Sequence, residues 1–595
     1  MRVLRNILVL LLLLTLAIPC SALTAEKPVE PEGFQWDISK ETLLAGLWEA
    51  DISTIHEAYQ MGWITCQDLT AYYLERIAEY NDTYNCFITL CDDAMEQAAR
   101  CDELLASGEA QGALFGIPLA MKDNINYYGY YTTNGKSFSD SSIAYSNAEV
   151  VDYILQEGAI IIGKTNMSTM AEDYHASYSE AVGETKNAYN SYLSSGGSSG
   201  GSAVATSLNF AVAGLGTDTN SSLRFPAVLN GCISMRVTVG SLSRRGITIL
   251  NSKRDVPGVS TRTVMDQAII LDVLSGGKTN YAENLNNNAL SGLRIGVLTE
   301  LSDPSASYRN RNADPEVTAA FQNAIKEMEA LGAEVISISI SNIVELAERT
   351  LTTYSQSDMD AMYRVIEAAM EENSVSAIVF PTYLSAPAYS GKDENGKTWY
   401  PFNQPSINNA RIFSSCAGLP EIAIPIGYHS RGAGIGMEIA ALKNEEQLLL
   451  DIAYTYTENY DHRSPTDNAP DLYAEYYEGS IGECIDAYYT AIEQYEEDQR
   501  IAAEEAARQE AERLAAEEAE RKEAERKQQE EEQKRLELEA QQAALREMEA
   551  ERLREAREQR QRLIRWVIIG LVGVAVTGSV MLGWYLIRER HKKNR

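Results

Sequence analysis

Only five histidines are spread over 595 residues, so an enzyme built on a histidine base has few positions to draw on. Cysteine is equally sparse: eight residues, with no CxxC pair and no metal-ligand spacing, which removes the common zinc and redox motifs. Positive charge is in deficit. Lys and Arg number 51 against 85 Asp and Glu, and a formal net charge of −34 argues against a nucleic-acid partner, whose phosphates need a basic surface. The GK[ST] ending of a phosphate loop is missing. Nothing in these patterns asks for a metal or another cofactor. What remains is a chain 45% hydrophobic, ample for a large core.

Long apolar runs occur only at the two ends. The start, MRVLRNILVLLLLLTLAIPCSA, places Arg2 and Arg5 before an apolar run from Ile7 to Ile18 and then small residues. This is a secretory signal pattern over residues 1–22, with cleavage expected after Ala22 or Ala25. Near the other end, Trp566 to Ile587 carries no charge; its 22 residues, at about 1.5 Å each, reach roughly 33 Å, enough for one transmembrane helix. Trp566, Trp584 and Tyr585 sit near its ends, as interfacial aromatics do. A basic tail, residues 588–595, follows. The signal sets the orientation: body outside, tail in the cytoplasm, membrane contact through the C-terminal helix. Of the cysteines left after the signal, Cys66, Cys86, Cys91 and Cys101 lie close enough in sequence for a disulfide outside the cell. Buried thiols fit as well, and no bridge is assigned.

Between the ends, residues 40–462 read as one mixed α/β body. Thr65 to Tyr80 shows a polar start and helical apolar spacing. Ala159–Gly163, Leu293–Leu298, Ala377–Thr382 and Glu421–Gly427 read as buried strands. A twisted mixed sheet covered by helices follows. Residues 463–490 read as a linker. Residues 491–565 are nearly all Glu, Ala, Arg, Gln and Lys, with opposite charges at helical spacings and no steady heptad. They read as a charged helical stalk, a coiled coil or a single helix about 100 Å long. The stalk also offers a route to self-association.

Three segments carry chemistry. Ser194 to Ser202, SSGGSSGGS, lies too deep in the globular body to be a flexible linker. It contains G-x-S-x-G with Ser198 or Ser199 at the centre, which would serve an α/β-hydrolase elbow if an Asp and then a His such as His429 or His462 completed it. Gly216 to Ala227, GTDTNSSLRFPA, holds two adjacent serines. Leu114 to Ile125, LFGIPLAMKDNI, places Lys122 after an apolar stretch, where a desolvated lysine can be neutral and act as a base.

In this order the three segments resemble the amidase signature family of serine hydrolases, and the resemblance extends over roughly residues 50–462 through DVPGVSTRTVMD (Asp255 to Asp266) and AGLPEIAIPIG (Ala417 to Gly427). The family's nucleophile falls on Ser222. Its bridging serine, after a cis peptide, falls on Ser198, and its lysine on Lys122. The resemblance implies an oxyanion hole from the backbone of Thr219, Asn220, Ser221 and Ser222, with Ser199, Asp218 and Arg224 in support. It also implies amide hydrolysis through an acyl-serine, with a Ser-Ser-Lys relay in place of Ser-His-Asp. Asn220 and Ser221 stand where the family has two glycines. Arg236 and Val237 stand where it has Lys and Pro. The stretch Ser341 to Tyr363 is short beside many relatives. The expected protein is a membrane-anchored extracytoplasmic amidase acting on a small-molecule or peptide amide. The alternative is a non-catalytic surface binding protein on the same scaffold. A component of a tRNA-dependent amidotransferase suits the family, but the signal and anchor argue against it.

Overall fold

The computed structural model describes residues 30–303, 313–392, 398–399, 408–523 and 536–561. Helix α1 (Lys40–Gly46) begins on Ser39 and α2 (Ile52–Gln60) on Asp51, whose side-chain oxygens accept from the amides of Thr42 and Thr54. Helix α3 (Cys66–Tyr84) opens on a reciprocal cap: the Thr65 hydroxyl accepts from the Asp68 amide, and the Asp68 carboxylate accepts from the Thr65 amide. It is the helix the sequence predicts there, ending four residues later, at Tyr84.

Eleven strands form one sheet. In chain order they are β1 (Phe87–Leu90), β2 (Pro118–Lys122), β3 (Ile160–Thr165), β4 (Ala213–Asp218), β5 (Ile233–Arg236), β6 (Val256–Thr261), β7 (Arg294–Leu298), β8 (Glu334–Ile338), β9 (Ala377–Pro381), β10 (Glu421–Tyr428) and β11 (Gly434–Ala440). Their spatial order is β1-β3-β2-β4-β6-β5-β10-β11-β9-β7-β8. Strands β3, β2 and β4 run parallel, as do β9, β7 and β8; the strands between them pair antiparallel. The four predicted strands are present as β3, β7, β9 and β10, within two residues at each end. Residues of β2, β4, β6 and β11 are buried throughout, which is why they read as continuous apolar or small-residue runs.

Two short helices attach the two serine-bearing loops to this sheet, α4 (Gly200–Ser207) and α5 (Arg224–Leu229). Farther on, α6 (Ile343–Thr353) and α7 (Gln356–Asn373) pack on each other over a second apolar cluster that includes Ile343, Met362, Phe380 and Phe413. The stretch that is short by the family's measure thus still forms a helix pair.

The C-terminal part departs from the sequence reading. Residues 463–477 are no free linker. Arg76, fully buried, donates to the carbonyls of Ala469 and Pro470 at 2.8 and 2.9 Å, and Arg463 pairs with Glu49. The charged helix begins early, as α8 (Ile481–Glu523), because Ile485, Tyr488 and Ile492 bury against Met61, Phe34, Trp36 and Trp63. Nor is it a single extended rod. Helix α9 (536–561) returns antiparallel alongside α8. Arg557 pairs with Glu493 at 2.5 Å, Arg500 with Glu549 at 3.3 Å, Arg546 with Glu504, and Arg560 donates to the Ile485 carbonyl at 2.5 Å. Charges that composition assigns to a solvated stalk instead pair between two helices.

The expected signal (1–22), membrane span (566–587) and tail (588–595) lie outside the described residues. Among the described residues no helix is long and apolar enough to cross a membrane. Cys66, Cys86, Cys91, Cys101, Cys232, Cys416 and Cys484 are all buried thiols.

Candidate active site

Lys122 ends β2, and Thr217 lies next to last in β4. The two strands are parallel neighbours, with Leu119, Ala120 and Met121 opposite Ala213, Gly214 and Leu215. Their C-terminal ends therefore meet, the usual place for a site in an open α/β sheet. Lys122 is fully buried. Its Nζ donates to Ser198 Oγ at 2.8 Å and to Thr217 Oγ1 at 2.9 Å. Asn124 Nδ2 also donates to Thr217 Oγ1, at 3.1 Å.

Ser198 sits on the glycine-serine loop, after a cis peptide bond from Gly197. The glycines have separate reasons to be there. Gly196 has φ +72°, and a Cβ there would press on Pro226 and Leu229. A Cβ on Gly201 would fall 2.4 Å from the Asn166 carbonyl oxygen, so α4 could not seat against that strand end. The following serine ties the two serine-bearing loops together: Ser199 N donates to the Ser222 carbonyl at 3.1 Å, and Ser199 Oγ to the Thr217 carbonyl at 3.3 Å. Ser177 Oγ accepts from Gly200 N at 2.9 Å and donates to the Gly196 carbonyl at 3.0 Å, bracing the same loop.

Ser222 is 1% exposed, and its Oγ has no hydrogen-bond partner among the described residues. The Ser198-to-Ser222 link of the expected relay is not formed here. Among the described residues, the backbone N–H groups of Asn220, Ser221 and Ser222 donate to no other protein atom. Three open amides beside an unpartnered hydroxyl make a ready oxyanion site. Asn220 and Ser221 keep negative φ, so the loop runs through them without needing the family's glycines. Their side chains are held: Asn220 Oδ1 accepts from Arg254 Nη1 at 2.9 Å, and Ser221 Oγ accepts from Asn408 Nδ2 at 3.1 Å.

Beneath the loop lies a buried charge network. Arg224 pairs with Asp218 at 3.1 Å, with Glu438 at 3.0 Å and with Glu421. Arg236, which replaces the family's lysine, donates to the Asp218 carboxylate at 2.8 Å and to its carbonyl at 3.0 Å. Arg224 Nη2 donates to the Asn220 carbonyl at 2.8 Å. That bond polarises the peptide unit whose N–H belongs to Ser221, strengthening it as a donor. Burial pushes the Glu438 carboxyl up to about 7 against the pull of Arg224, and draws Arg236 down to about 10 against the pull of Asp218. A narrow cleft lined by Phe225, Leu229, Tyr383, Pro387 and Ala388 opens near α5.

The structure thus brings Lys122 and Ser198 into direct contact and ties Ser198's loop to that of Ser222. Asp218 and Arg224 form the expected pair, and Ser199 the expected brace. Thr217, Asn124, Arg254 and Asn408 escaped the sequence reading. Thr217 and Asn124 stand within the quoted motifs, but which side of its strand each occupies is set only by pairing. The elbow reading fails: His429 lies 3.4 Å from Asp314 and His462 2.8 Å from Glu327, and Ser199 Oγ is bonded to a carbonyl rather than to a histidine.

The profile of the family described as Amidase matches residues 68–364. The chain belongs to the amidase signature family. This amidase is 29% identical over 462 residues to a glutamyl-tRNA(Gln) amidotransferase component from Thermosynechococcus vestitus, covering 65% of the chain and 93% of that relative. Among solved structures, a peptide amidase in complex with the competitive inhibitor chymostatin is 24% identical with a TM-score of 0.60, covering 70% of the chain and 98% of its own. A 6-aminohexanoate cyclic dimer hydrolase complexed with substrate is 23% identical, TM-score 0.58, covering 70% and 99%. The amidase therefore has the fold of that family and acts on amide C–N bonds.

Proposed function

We propose that this amidase hydrolyses a small-molecule or peptide amide outside the cytoplasm, by an acyl-serine route, while held to a membrane by its C-terminal helix. The observation that carries the catalytic part is the buried Lys122 Nζ 2.8 Å from Ser198 Oγ, on a loop bonded to that of Ser222. Neutral Lys122 takes the Ser198 proton as Ser198 takes that of Ser222, once the Ser222 hydroxyl turns to it. Ser222 Oγ then bonds to the amide carbon, and the carbonyl electrons move to an oxygen held by the amides of residues 220 to 222. The proton returns along the same path to the leaving nitrogen, the C–N bond breaks, and water releases the acid from Ser222. Thr217 holds Lys122 in place throughout.

Support for the location comes from the residue patterns at 1–22 and 566–587. The hairpin of α8 and α9 changes the geometry of such an anchor. Arg560 is docked on Ile485 and over the Tyr489 ring, so a span beginning at Trp566 starts within a few residues of the catalytic body. The body would ride close to the bilayer rather than about 100 Å above it.

The test is intact mass and peptide mapping of the full chain after a fluorophosphonate serine probe. One adduct on Ser222, absent in Lys122→Ala, is expected. No adduct on the folded protein would return the binding-scaffold alternative, and an adduct on Ser199 would overturn the relay. Accessibility of the body to an impermeant biotin reagent on intact cells tests the location separately.

A further inference from the structure

Arg254 is fully buried, yet among the described residues no carboxylate lies within ion-pair distance of it. A guanidinium without a counter-charge is costly to bury and is kept only where hydrogen bonds or a function offset it. Its contacts are specific. Nη1 donates to Asn220 Oδ1 at 2.9 Å, Nη2 donates to the Thr350 carbonyl near the end of α6, and the guanidinium lies over the Tyr354 ring at 5.1 Å. Its own carbonyl accepts from Arg236 Nη2 at 2.7 Å, joining it to the network beneath the loop. One side chain thus connects the three open amides to the α6–α7 helix pair.

We propose that Arg254 is a positioning residue for the oxyanion loop: through Asn220 it fixes the loop against α6. The inference rests on the oxyanion role given above to residues 220 to 222. A side chain in place of glycine would otherwise be free to swing across the loop, and the Arg254–Asn220 bond prevents that.

The experiment is a double-mutant cycle in the full chain with Arg254→Met and Asn220→Ala, scored by kcat, KM and labelling rate on a chromogenic amide and a fluorophosphonate, with melting temperature measured alongside. Each single variant is expected to lower kcat about 10- to 100-fold with KM within about twofold, on the scale of losing part of an oxyanion donor. The double variant should be no worse than the poorer single, and Arg254→Lys should recover part of the loss. Additive effects, or wild-type kcat in both singles, would overturn the proposal. If Arg254→Met does not fold, Asn220→Ala and Tyr354→Leu carry the test: unchanged kcat in both overturns it. A wild-type chain that neither labels nor hydrolyses amides overturns the reading beneath it, a result distinct from an active enzyme indifferent to these substitutions.

Discussion

Thr217 Oγ1 and Ser198 Oγ share the amine of Lys122, at 2.9 and 2.8 Å, and all three residues are buried. The lysine is thereby fixed by strand β4 on one contact and addressed to the glycine-serine loop by the other.

Thr217→Val removes one of these contacts while keeping the β-branched shape of the strand. We expect kcat to fall about 10- to 100-fold with KM nearly unchanged, and Thr217→Ser to stay within a few-fold of wild type, because proton transfer depends on the placement of the base. Steady-state kinetics on any accepted amide decide it; equal losses in both variants would show that the hydroxyl is not what matters.

Lys122→Arg keeps a positive charge at the end of β2 but cannot supply a neutral base, since a guanidinium does not deprotonate in proteins. Activity should fall by at least about 10²-fold, as far as in Lys122→Ala. Retained activity in the arginine variant would rule out lysine as the base.

Glu438 binds its proton more tightly folded than unfolded, with a value near 7 caused by burial. Its contribution to stability is therefore present below the ordinary carboxyl range and lost as pH rises through about 7. Glu57 and Glu458, also lifted to about 7 by burial, act in the same direction. The melting temperature should fall between pH 5 and pH 8, and Glu438→Gln should flatten part of that slope. Parallel wild-type and variant curves from differential scanning fluorimetry would contradict it.

A chain stopped at Gly479 should be markedly less stable than one stopped at Gln561. The shorter chain exposes Phe34, Trp36, Met61 and Trp63, which pack on Ile485, Tyr488 and Ile492. Calorimetry and a hydrophobic dye read the difference. If the two melt together, α8 is a passive extension.

Much of the site was legible because its chemistry is carried by short stretches of sequence. The serines, the lysine and the Asp218–Arg224 pair lie in motifs that resemble, in the same order, those of the amidase signature family. Apolar runs and caps likewise announced α3 and the strands β3, β7, β9 and β10, since burial on both faces and the first turn of a helix each leave a local signature.

What sequence could not decide is what depends on the meeting of distant segments. No sequence pattern singles out Arg254; the fold brings it, from 34 residues along the chain, within hydrogen-bond reach of Asn220. Asn408 reaches Ser221 across 187 residues. The charged segment forms helix because propensity and i to i+4 pairing are local, but whether it stands as a single helix of about 100 Å or pairs with another is not a local property. The return of α9 along α8 is set by Arg557, Arg546 and Arg560 finding partners on another helix, and no local pattern records such a choice. The sequence by itself determined which residue types are present and which elements they form. Tertiary packing decided which of the buried charges face one another, because ion pairs and hydrogen bonds act over a few ångströms of space and not along the chain.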